Sequence, residues 1–243
     1  MIRLLENPFE PWDIYSARVL AAYRSYDDAQ AWVHSGGKNA TPTAVISLVG
    51  GFAILAVKDN PDWEELAAFL RMQPWSRLQC GAEIAEKLPF PIEWASMLVR
   101  FAAPKKEFSY ENIAVASDPG EVYDILAQCG LGLKNRNDWM ADLALRWRRG
   151  TAQTWILDVK GSEGAVCTGS AVAVTEGFAF IGALGTLPET RGKGLAGKLL
   201  TYIAAALGGR EIWLSCREEL QGFYESLGFE RAGDMITLKK EDA

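Results

Sequence analysis

The chain has 243 residues, of which 49% are hydrophobic, and carries a formal net charge of −6 at pH 7. This length accommodates one large domain or two small ones, and the hydrophobic content is enough to form a buried core. The acidic balance argues against nucleic acid as a partner and weakly favours a cationic one, although solubility alone accounts for it. The four cysteines contain no C-x-x-C pair and His34 is the single histidine, so we expect no metal site.

The sequence also lacks the signals that direct a chain to a membrane or out of the cell. Its first residues do not show the basic segment followed by a long apolar run that is typical of a signal peptide. No apolar run approaches the length needed to span a bilayer. We therefore expect a cytoplasmic protein with reduced cysteines and no membrane partner.

The first half of the chain alternates between helical and strand patterns. Apolar residues at helical spacing predict a helix over residues 11–25 and a second, short helix over residues 27–32. Two apolar runs around a Gly-Gly pair predict a tight hairpin with strands over residues 44–48 and 52–57. His34 lies between these elements, and we expect it to be an ordinary surface histidine.

The next helix begins at a clear start signal. Asn60 offers an N-cap side chain, Pro61 suits the first helical position and acids follow, so we expect a helix from here to about Met72. The charged, proline-marked residues 103–109 are the best candidate for a linker. The elements predicted between this helix and the linker are a strand over residues 76–80, a short helix over 82–88 and a strand over 94–101.

After the linker, the patterns predict a strand, two helices, three strands, a helix, a strand, a helix and a strand. The predicted ranges are 113–116, 119–129, 138–147, 154–159, 165–174, 178–184, 195–207, 211–216, 217–227 and 234–239.

A glycine-rich turn joins the strand that ends at Leu184 to the helix that begins at Leu195. The first N–H groups of a helix have no partner within the helix, and the helix dipole is positive at that end, so such a turn suits a phosphate group. Glycine allows the backbone to approach the anion closely. The turn and the start of the helix contain three glycines, Gly192, Gly194 and Gly197, and three basic residues, Arg191, Lys193 and Lys198.

The turn fits three phosphate-binding motifs. The P-loop fit fails because Leu199 stands where a hydroxyl is required for magnesium. The dinucleotide fit is weakened because residues 188–191 separate the glycines from the strand. The third motif is Arg191-x-x-Gly194-x-Ala196. A turn that merely caps a helix also fits, and the turn alone does not separate these alternatives.

A second motif lies downstream of the turn. Residues 223–229 are Phe-Tyr-Glu-Ser-Leu-Gly-Phe, and Gly228 stands where a left-handed helix cap is expected. The Arg-x-x-Gly-x-Ala turn, a helix, a strand and then this motif resemble the GNAT N-acetyltransferase superfamily. The resemblance covers approximately residues 110–243.

The resemblance implies an α+β fold with a mixed, mostly antiparallel and twisted central sheet flanked by helices. It places the catalytic GNAT domain at residues 106–243. Residues 1–105 show a similar order of elements, and we predict that they form a smaller, partial or degenerate GNAT-like domain. Chance recurrence of this order is the alternative, and the sequence does not separate the two. Acids within residues 58–65 replace the glycine turn, so we expect this half not to bind CoA.

The resemblance also implies which residues bind acetyl-CoA. The backbone of one segment is expected to pair with the pantetheine arm, and N–H groups of a second segment are expected to hold the pyrophosphate. The first segment comprises Ala183, Leu184, Gly185 and Thr186, and the second comprises Arg191, Gly192, Lys193, Gly194, Leu195 and Ala196.

For catalysis, the resemblance points to Tyr224 as a general acid that protonates the CoA thiolate, with simple ring packing as the alternative. The general base is not assigned. Its candidates are Glu176, Glu189, Asp158 and a water positioned by Ser215 or the Cys216 backbone; Cys216 as an acyl-carrying nucleophile is less favoured. Other positions of interest are Arg217, where the family often has asparagine, and Trp139 and Trp147, on helices that border the family's acceptor groove.

The function implied by the resemblance is direct transfer of an acetyl group from acetyl-CoA to a primary amine of a small-molecule or peptide acceptor. The alternative is a non-catalytic CoA-binding or regulatory protein that uses the N-terminal half to bind partners. A homodimer is compatible with either function.

Overall fold

The computed structural model describes residues 1–37, 40–131, 133 and 135–240. Within these residues the protein has an α+β fold with mixed β-structure. The strands are β1 (Ile2–Leu4), β2 (Gln30–Ser35), β3 (Pro42–Val49), β4 (Phe52–Val57), β5 (Arg77–Gly81), β6 (Ile92–Phe101), β7 (Ile113–Val115), β8 (Gln153–Asp158), β9 (Ala165–Val174), β10 (Phe178–Thr186), β11 (Glu211–Cys216) and β12 (Phe229–Lys239). The helices are α1 (Ile14–Ser25), α2 (Trp63–Met72), α3 (Ala82–Ala85), α4 (Pro119–Gln128), α5 (Arg136–Arg148), α6 (Leu195–Ala206) and α7 (Gln221–Leu227).

The chain divides into two compact units that are discontinuous in sequence. The first comprises Met1–Leu98, Ser215–Glu218 and Arg231–Ala243, and the second comprises Val99–Leu214 and Glu219–Glu230. The sequence prediction instead divides the chain once, between residues 105 and 106. As a statement about functional domains, that division stays a prediction.

In the first unit, β1, β2, β3, β4, β5 and the second part of β12 lie side by side in this order. The pairs are antiparallel except for β4 and β5, which are parallel and are connected through α2. The core includes Leu66 and Leu70 of α2, Leu55 of β4 and Leu78 of β5, all completely or almost completely buried. The predicted hairpin of β3 and β4 is confirmed.

The short helix predicted over residues 27–32 is wrong. Strand β2 occupies Gln30–Ser35 and pairs with β1 on one side and β3 on the other. These two ladders override the weak helical spacing, and Ala31 and Val33 point into the core. The expectation of a surface histidine is also wrong, because His34 is 3% exposed and its Nδ1 lies 2.5 Å from Thr43 Oγ1.

The helix α2 begins two residues later than the Asn60 cap predicts. Asp62 is the N-cap, and its carboxylate accepts a hydrogen bond from the Glu65 N–H at 2.9 Å. The Asn60 side chain accepts from Trp63 Nε1 at 3.0 Å instead. Asp and Asn cap helices about equally well, so the sequence alone offers two competing starts.

In the second unit, β11, β10, β9, β8 and β7 lie side by side, and β10 and β11 form the parallel pair. The predicted order of elements in this half is confirmed. Residues 103–109, predicted as a linker, belong to this unit and pack within it. Phe108 Cζ would lie 3.5 Å from a Cβ added at Gly197, and the Ala102 N–H donates to the Gly228 carbonyl at 2.9 Å.

The residues that the structure describes contain neither a membrane-spanning helix nor a cluster of metal-binding side chains. None of the helices in this part of the chain is long and apolar enough to cross a membrane. Among the same residues, no group of three or more His, Cys, Asp or Glu side chains is placed to hold a metal ion.

Candidate active site

The strand β10 contains a bulge just before the glycine turn. Gly182 pairs with Ser170 of β9, and Gly185 pairs with Thr168, so β10 has one extra residue between these pairs. Ala183 lies in this bulge with a φ of 49°, a left-handed conformation that is uncommon for a residue with a side chain. Bulges of this kind redirect a strand and are frequent beside active sites.

The parallel strands β10 and β11 pair along only part of their length. Their pairing runs from Phe178–Glu211 to Ile181–Leu214. In the part of the chain that the structure describes, Gly182, Gly185 and Thr186 pair with β9, and the pairing of β10 with β11 does not extend beyond Ile181. The backbone of this segment therefore has a free hydrogen-bonding edge, which an extended ligand can pair with.

The glycine turn brings an uncapped helix N-terminus to the end of this strand. Gly194 is the N-cap of α6, with a φ of 75°, and it makes no side-chain capping hydrogen bond. Gly192 has a φ of 77°, and a Cβ at either glycine would have no atom within 4 Å. The first N–H groups of α6 are thus accessible from open space, the arrangement that binds phosphate.

A cavity of about 440 Å³ lies at this turn. Its walls come from the end of β10, the turn, the first residues of α6, α7 and the segment before β7. Predicted cofactor-binding residues in the lining are Thr186, Arg191, Gly192, Gly194, Leu195 and Ala196. Lining residues that the sequence reasoning missed are Lys106, Phe108, Thr190, Gly197, Phe223, Ser226 and Leu227.

The other predicted cofactor residues lie next to this lining. Ala183 and Leu184 are half-buried in the bulge, and Gly185 is buried against α4, where an added Cβ would lie 3.0 Å from Leu126 Cδ2. Lys193 is an exposed member of the turn. Only the backbone of the bulge segment is therefore suited to binding a ligand.

Two basic side chains hold fixed positions at the cavity. Arg191 donates from Nε to the Thr186 carbonyl at 3.0 Å, which ties the turn to the end of β10 and leaves the terminal nitrogens of the guanidinium for a ligand. Lys106 donates from Nζ to Ser226 Oγ at 3.2 Å. Because both side chains are exposed at their charged ends, their attraction for a phosphate is screened by salt.

The predicted general acid, Tyr224, is 7% exposed on α7. Its ring packs edge-on against Phe223 at 5.0 Å and against Phe229 at 5.7 Å between centroids. The neighbouring Phe223 and Ser226 line the cavity, whereas Tyr224 itself is not part of the lining. The structure thus places Tyr224 on α7 beside residues that line the cavity, with its ring packed against Phe223 and Phe229. Its role as a general acid stays a prediction.

The candidates for a general base are dispersed. Glu189, Glu176 and Asp158 are exposed, in a turn, in a loop and at the end of β8 respectively. Ser215 and Cys216 belong to the first compact unit, whereas Glu189, Glu176 and Asp158 belong to the second. Burial raises the pKa of the Cys216 thiol, which disfavours the thiolate that an acyl-carrying nucleophile would require.

The two tryptophans predicted to border an acceptor groove lie on α5 and serve packing. The Trp139 ring meets Tyr123 edge-on at 5.5 Å between centroids. Trp147 donates from Nε1 to Thr154 Oγ1 at 3.2 Å. Both pack against the core cluster of Val122, Leu126 and Leu143.

Comparisons with known proteins agree with this geometry. Residues 150–231, which include the bulged strand, the glycine turn and α7, match the sequence model of the acetyltransferase (GNAT) domain. The comparison with curated proteins gave no match.

Solved structures share the fold over nearly the whole chain. A GCN5-related N-acetyltransferase from Kribbella flavida is 18% identical with a TM-score of 0.64, and 95% of each chain is covered. A GNAT-family acetyltransferase from Colwellia psychrerythraea is 15% identical with a TM-score of 0.60, covering 99% of this chain and 100% of the other. A tandem GNAT protein from the clavulanic acid biosynthesis pathway is 14% identical with a TM-score of 0.59, covering 93% and 87%.

At these identities the structural likeness shows the fold, and the domain match adds the sequence signature of the turn and the helix that follows it. Residues 150–231 therefore carry the sequence signature of the acetyltransferase (GNAT) domain, and the chain shares its fold with solved GNAT acetyltransferases.

Proposed function

We propose that this protein is an acetyl-CoA-dependent N-acetyltransferase that acetylates a primary amine by direct attack. The observation that carries the proposal is the uncapped N-terminus of α6, opening onto a cavity of about 440 Å³ beside the free edge of β10. A phosphate-bearing ligand with an extended arm fits this combination. Acetyl-CoA has both parts and supplies the acetyl group as a thioester.

Each part of the site has one task in this proposal. The N–H groups from Arg191 to Ala196 bind the pyrophosphate, and Arg191 adds a positive charge that its bond to Thr186 holds in place. The backbone of Ala183 to Thr186 pairs with the pantetheine amides. The pairing of β10 with β11 ends before this segment, which leaves its backbone edge for the ligand.

Tyr224 is the proposed general acid. As the acceptor nitrogen bonds to the acetyl carbon and the carbon–sulfur bond breaks, the phenol transfers its proton to the leaving sulfur. The proton lost from the amine passes to solvent, and the tyrosinate regains a proton from solvent. Support comes from the position of Tyr224 on α7, whose adjacent residues line the cavity. Acid catalysis of this kind contributes about a hundredfold or more.

The test is a steady-state assay with acetyl-CoA and a panel of primary amines and peptides, in which the released thiol is detected chromogenically. Tyr224→Phe preserves the packed ring, so we expect kcat to fall about a hundredfold with little change in CoA affinity. Tyr202→Phe is the matched control, because Tyr202 packs on Tyr110 outside the cavity lining. An undiminished kcat in Tyr224→Phe would remove the acid role.

A CoA-binding protein without catalysis is the second candidate. It is favoured by the burial of Tyr224 and by the exposed, dispersed positions of Glu176, Glu189 and Asp158. Tight CoA binding together with no turnover across the amine panel would select this candidate. Turnover of any amine in the panel would eliminate it.

A further inference from the structure

The first unit contains the same arrangement of strands that forms the candidate CoA cleft in the second. β3 and β4 are antiparallel, and α2 then connects β4 to the parallel strand β5. The parallel pairing runs only from Phe52–Arg77 to Ile54–Gln79, although β4 continues to Val57. As with β10 and β11, two parallel strands therefore stop pairing before they end.

A cavity of about 490 Å³ lies where these strands separate. Every residue of its lining belongs to the first unit. We call it the first-unit cleft. It is lined by the end of β4 (Val57, Lys58, Asp59), the start of α2 (Trp63), the end of β5 (Gly81) and α3 with the residues after it (Ala82, Glu83, Ile84, Lys87), together with Asp13, Tyr15, Leu98, Ala232, Gly233 and Asp234.

The chemistry of this cleft differs from that of the CoA cleft. At α2 the Asp62 carboxylate already occupies the helix N-terminus, with its bond to the Glu65 N–H. Glu64 and Glu65 follow in the first turn. The N-terminus of α6 has open N–H groups and lies close to Arg191, whereas the N-terminus of α2 carries carboxylates, which repel a phosphate. The geometry of a ligand cleft is thus retained while its preference for an anion is lost.

The groups that face the cleft favour a cation. Its lining includes four acidic residues, Asp13, Asp59, Glu83 and Asp234, against two lysines. The Asp234 carboxylate already accepts a hydrogen bond from Arg231 at 2.8 Å, which leaves the other three for a ligand. One of these lysines, Lys58, has its ammonium 5.9 Å from the centre of the Trp12 ring. The aromatic rings of Tyr15 and Trp63 are also in the lining, and such rings attract ammonium groups.

A bound cation would stabilise the charged form of Asp13 in particular. Asp13 is the N-cap of α1 and accepts a hydrogen bond from the Ser16 N–H at 2.7 Å. Burial raises the pKa of this carboxyl group, because the charged form is poorly solvated there. A positively charged ligand would offset that cost.

We propose that the first-unit cleft is a second ligand site, which binds an organic amine cation with an extended aliphatic arm. The apolar lining residues Val57, Ile84 and Leu98 would contact the aliphatic arm. The carboxylates of Asp59 and Glu83 would bind the charged nitrogen. This site is separate from the proposed acetyl-CoA site, so either can fail in experiment without the other.

The test is a titration of the isotope-labelled protein with spermidine, followed through the backbone amide signals of Asp59, Gly81 and Glu83 by NMR. 1,8-Octanediol, an uncharged molecule of similar length, is the matched ligand control. We expect spermidine to shift these signals saturably by about 10 mM, and octanediol to leave them unchanged. No shift with spermidine, or equal shifts with octanediol, would overturn the proposal.

A matched pair of double variants distinguishes binding of spermidine in the cleft from general attraction to an acidic protein. Asp59→Asn with Glu83→Gln removes two lining charges, and Asp28→Asn with Glu86→Gln removes two exposed charges outside the lining. We expect the spermidine dissociation constant to rise about tenfold or more in the first and to stay within about twofold in the second. Equal weakening in both variants, or shifts of the Asp59 and Gly81 signals by CoA, would contradict the proposal.

Discussion

The carbonyl oxygen of Ala103 lies 1.7 Å from the position that a Cβ on Gly228 would occupy. Gly228 also has a φ of 102° as the C-cap of α7. Two independent constraints, a close backbone approach and a left-handed conformation, therefore require glycine here. The contact fixes the segment that carries Lys106 and Phe108 to the end of the helix that carries Tyr224.

Replacing Gly228 by alanine tests this contact. The methyl group would collide with a backbone atom that cannot rotate away, and the positive φ adds its own cost. We expect Gly228→Ala to destabilise the protein by about 3 kcal/mol or more, measured by urea unfolding.

Gly222→Ala is the control on the same helix, since a Cβ there has no atom within 4 Å. We expect it to be neutral or to stabilise by about 0.5–1 kcal/mol, as alanine favours a helix over glycine. If the two variants have the same stability, the close approach of Ala103 is refuted.

Lys106 is predicted to bind a phosphate of CoA. Its Nζ is positioned by Ser226 Oγ at the cavity, whereas its neighbour Lys105 does not line the cavity. Lys106→Ala should weaken CoA binding about threefold to tenfold in low salt, with a smaller difference in high salt. Lys105→Ala is the control, because it removes one positive charge outside the cavity lining; CoA affinity is measured by calorimetry for both variants. If both variants lose the same CoA affinity, Lys106 contributes only through the positive charge of this surface and does not contact a phosphate.

The partly buried carboxyl group of Asp13 should make the stability of the protein depend on pH. Because its pKa is raised in the folded state, the folded protein binds more protons than the unfolded chain between the two pKa values. The contribution of Asp13 to stability therefore declines as the pH rises from about 3.8 through the raised pKa. Asp13→Asn keeps a capping side chain and removes this effect.

The quantity to measure is how the stability difference between Asp13→Asn and the wild type changes with pH. The stability of Asp13→Asn relative to the wild type should increase between pH 4 and pH 7, measured by urea unfolding at each pH. The exposed Asp28→Asn has the same change of charge and should show a much smaller trend. A flat profile for Asp13→Asn would show that its charge is well solvated in the folded protein.

Much of the second unit was predictable because its signals are local. The Gly-rich turn and Gly228 require left-handed backbone that only glycine adopts without cost, and the structure has φ values of 75° at Gly194 and 102° at Gly228. The hairpin at Gly50-Gly51 was predictable for the same reason. Such signals specify where elements end and which elements are joined.

Features that depend on distant partners were not predictable. The residues from Gln30 to Ser35 form a strand because β1 and β3 pair with them on both sides, and His34 is buried as a consequence. Lys106 has no motif around it, and contacts with distant residues, Ala103 with Gly228 and Lys106 itself with Ser226, bring it to the cavity. The last strand, β12, pairs with β5 across a sequence separation of about 160 residues, which no local pattern encodes.

The central claim is that the turn from Arg191 to Ala196 binds the phosphates of CoA, and Gly192 offers the most direct test. A side chain there enters open space, and both Asn and Asp tolerate its φ of 77°. The measurement is the dissociation constant of CoA by calorimetry for the wild type, Gly192→Asn and Gly192→Asp. We predict binding on the order of micromolar by the wild type and at least about tenfold weaker binding by the Asp variant than by its uncharged Asn counterpart, with the difference shrinking as salt is added. Equal affinity of the two variants, or no binding by the wild type at about 1 mM CoA, would contradict the account.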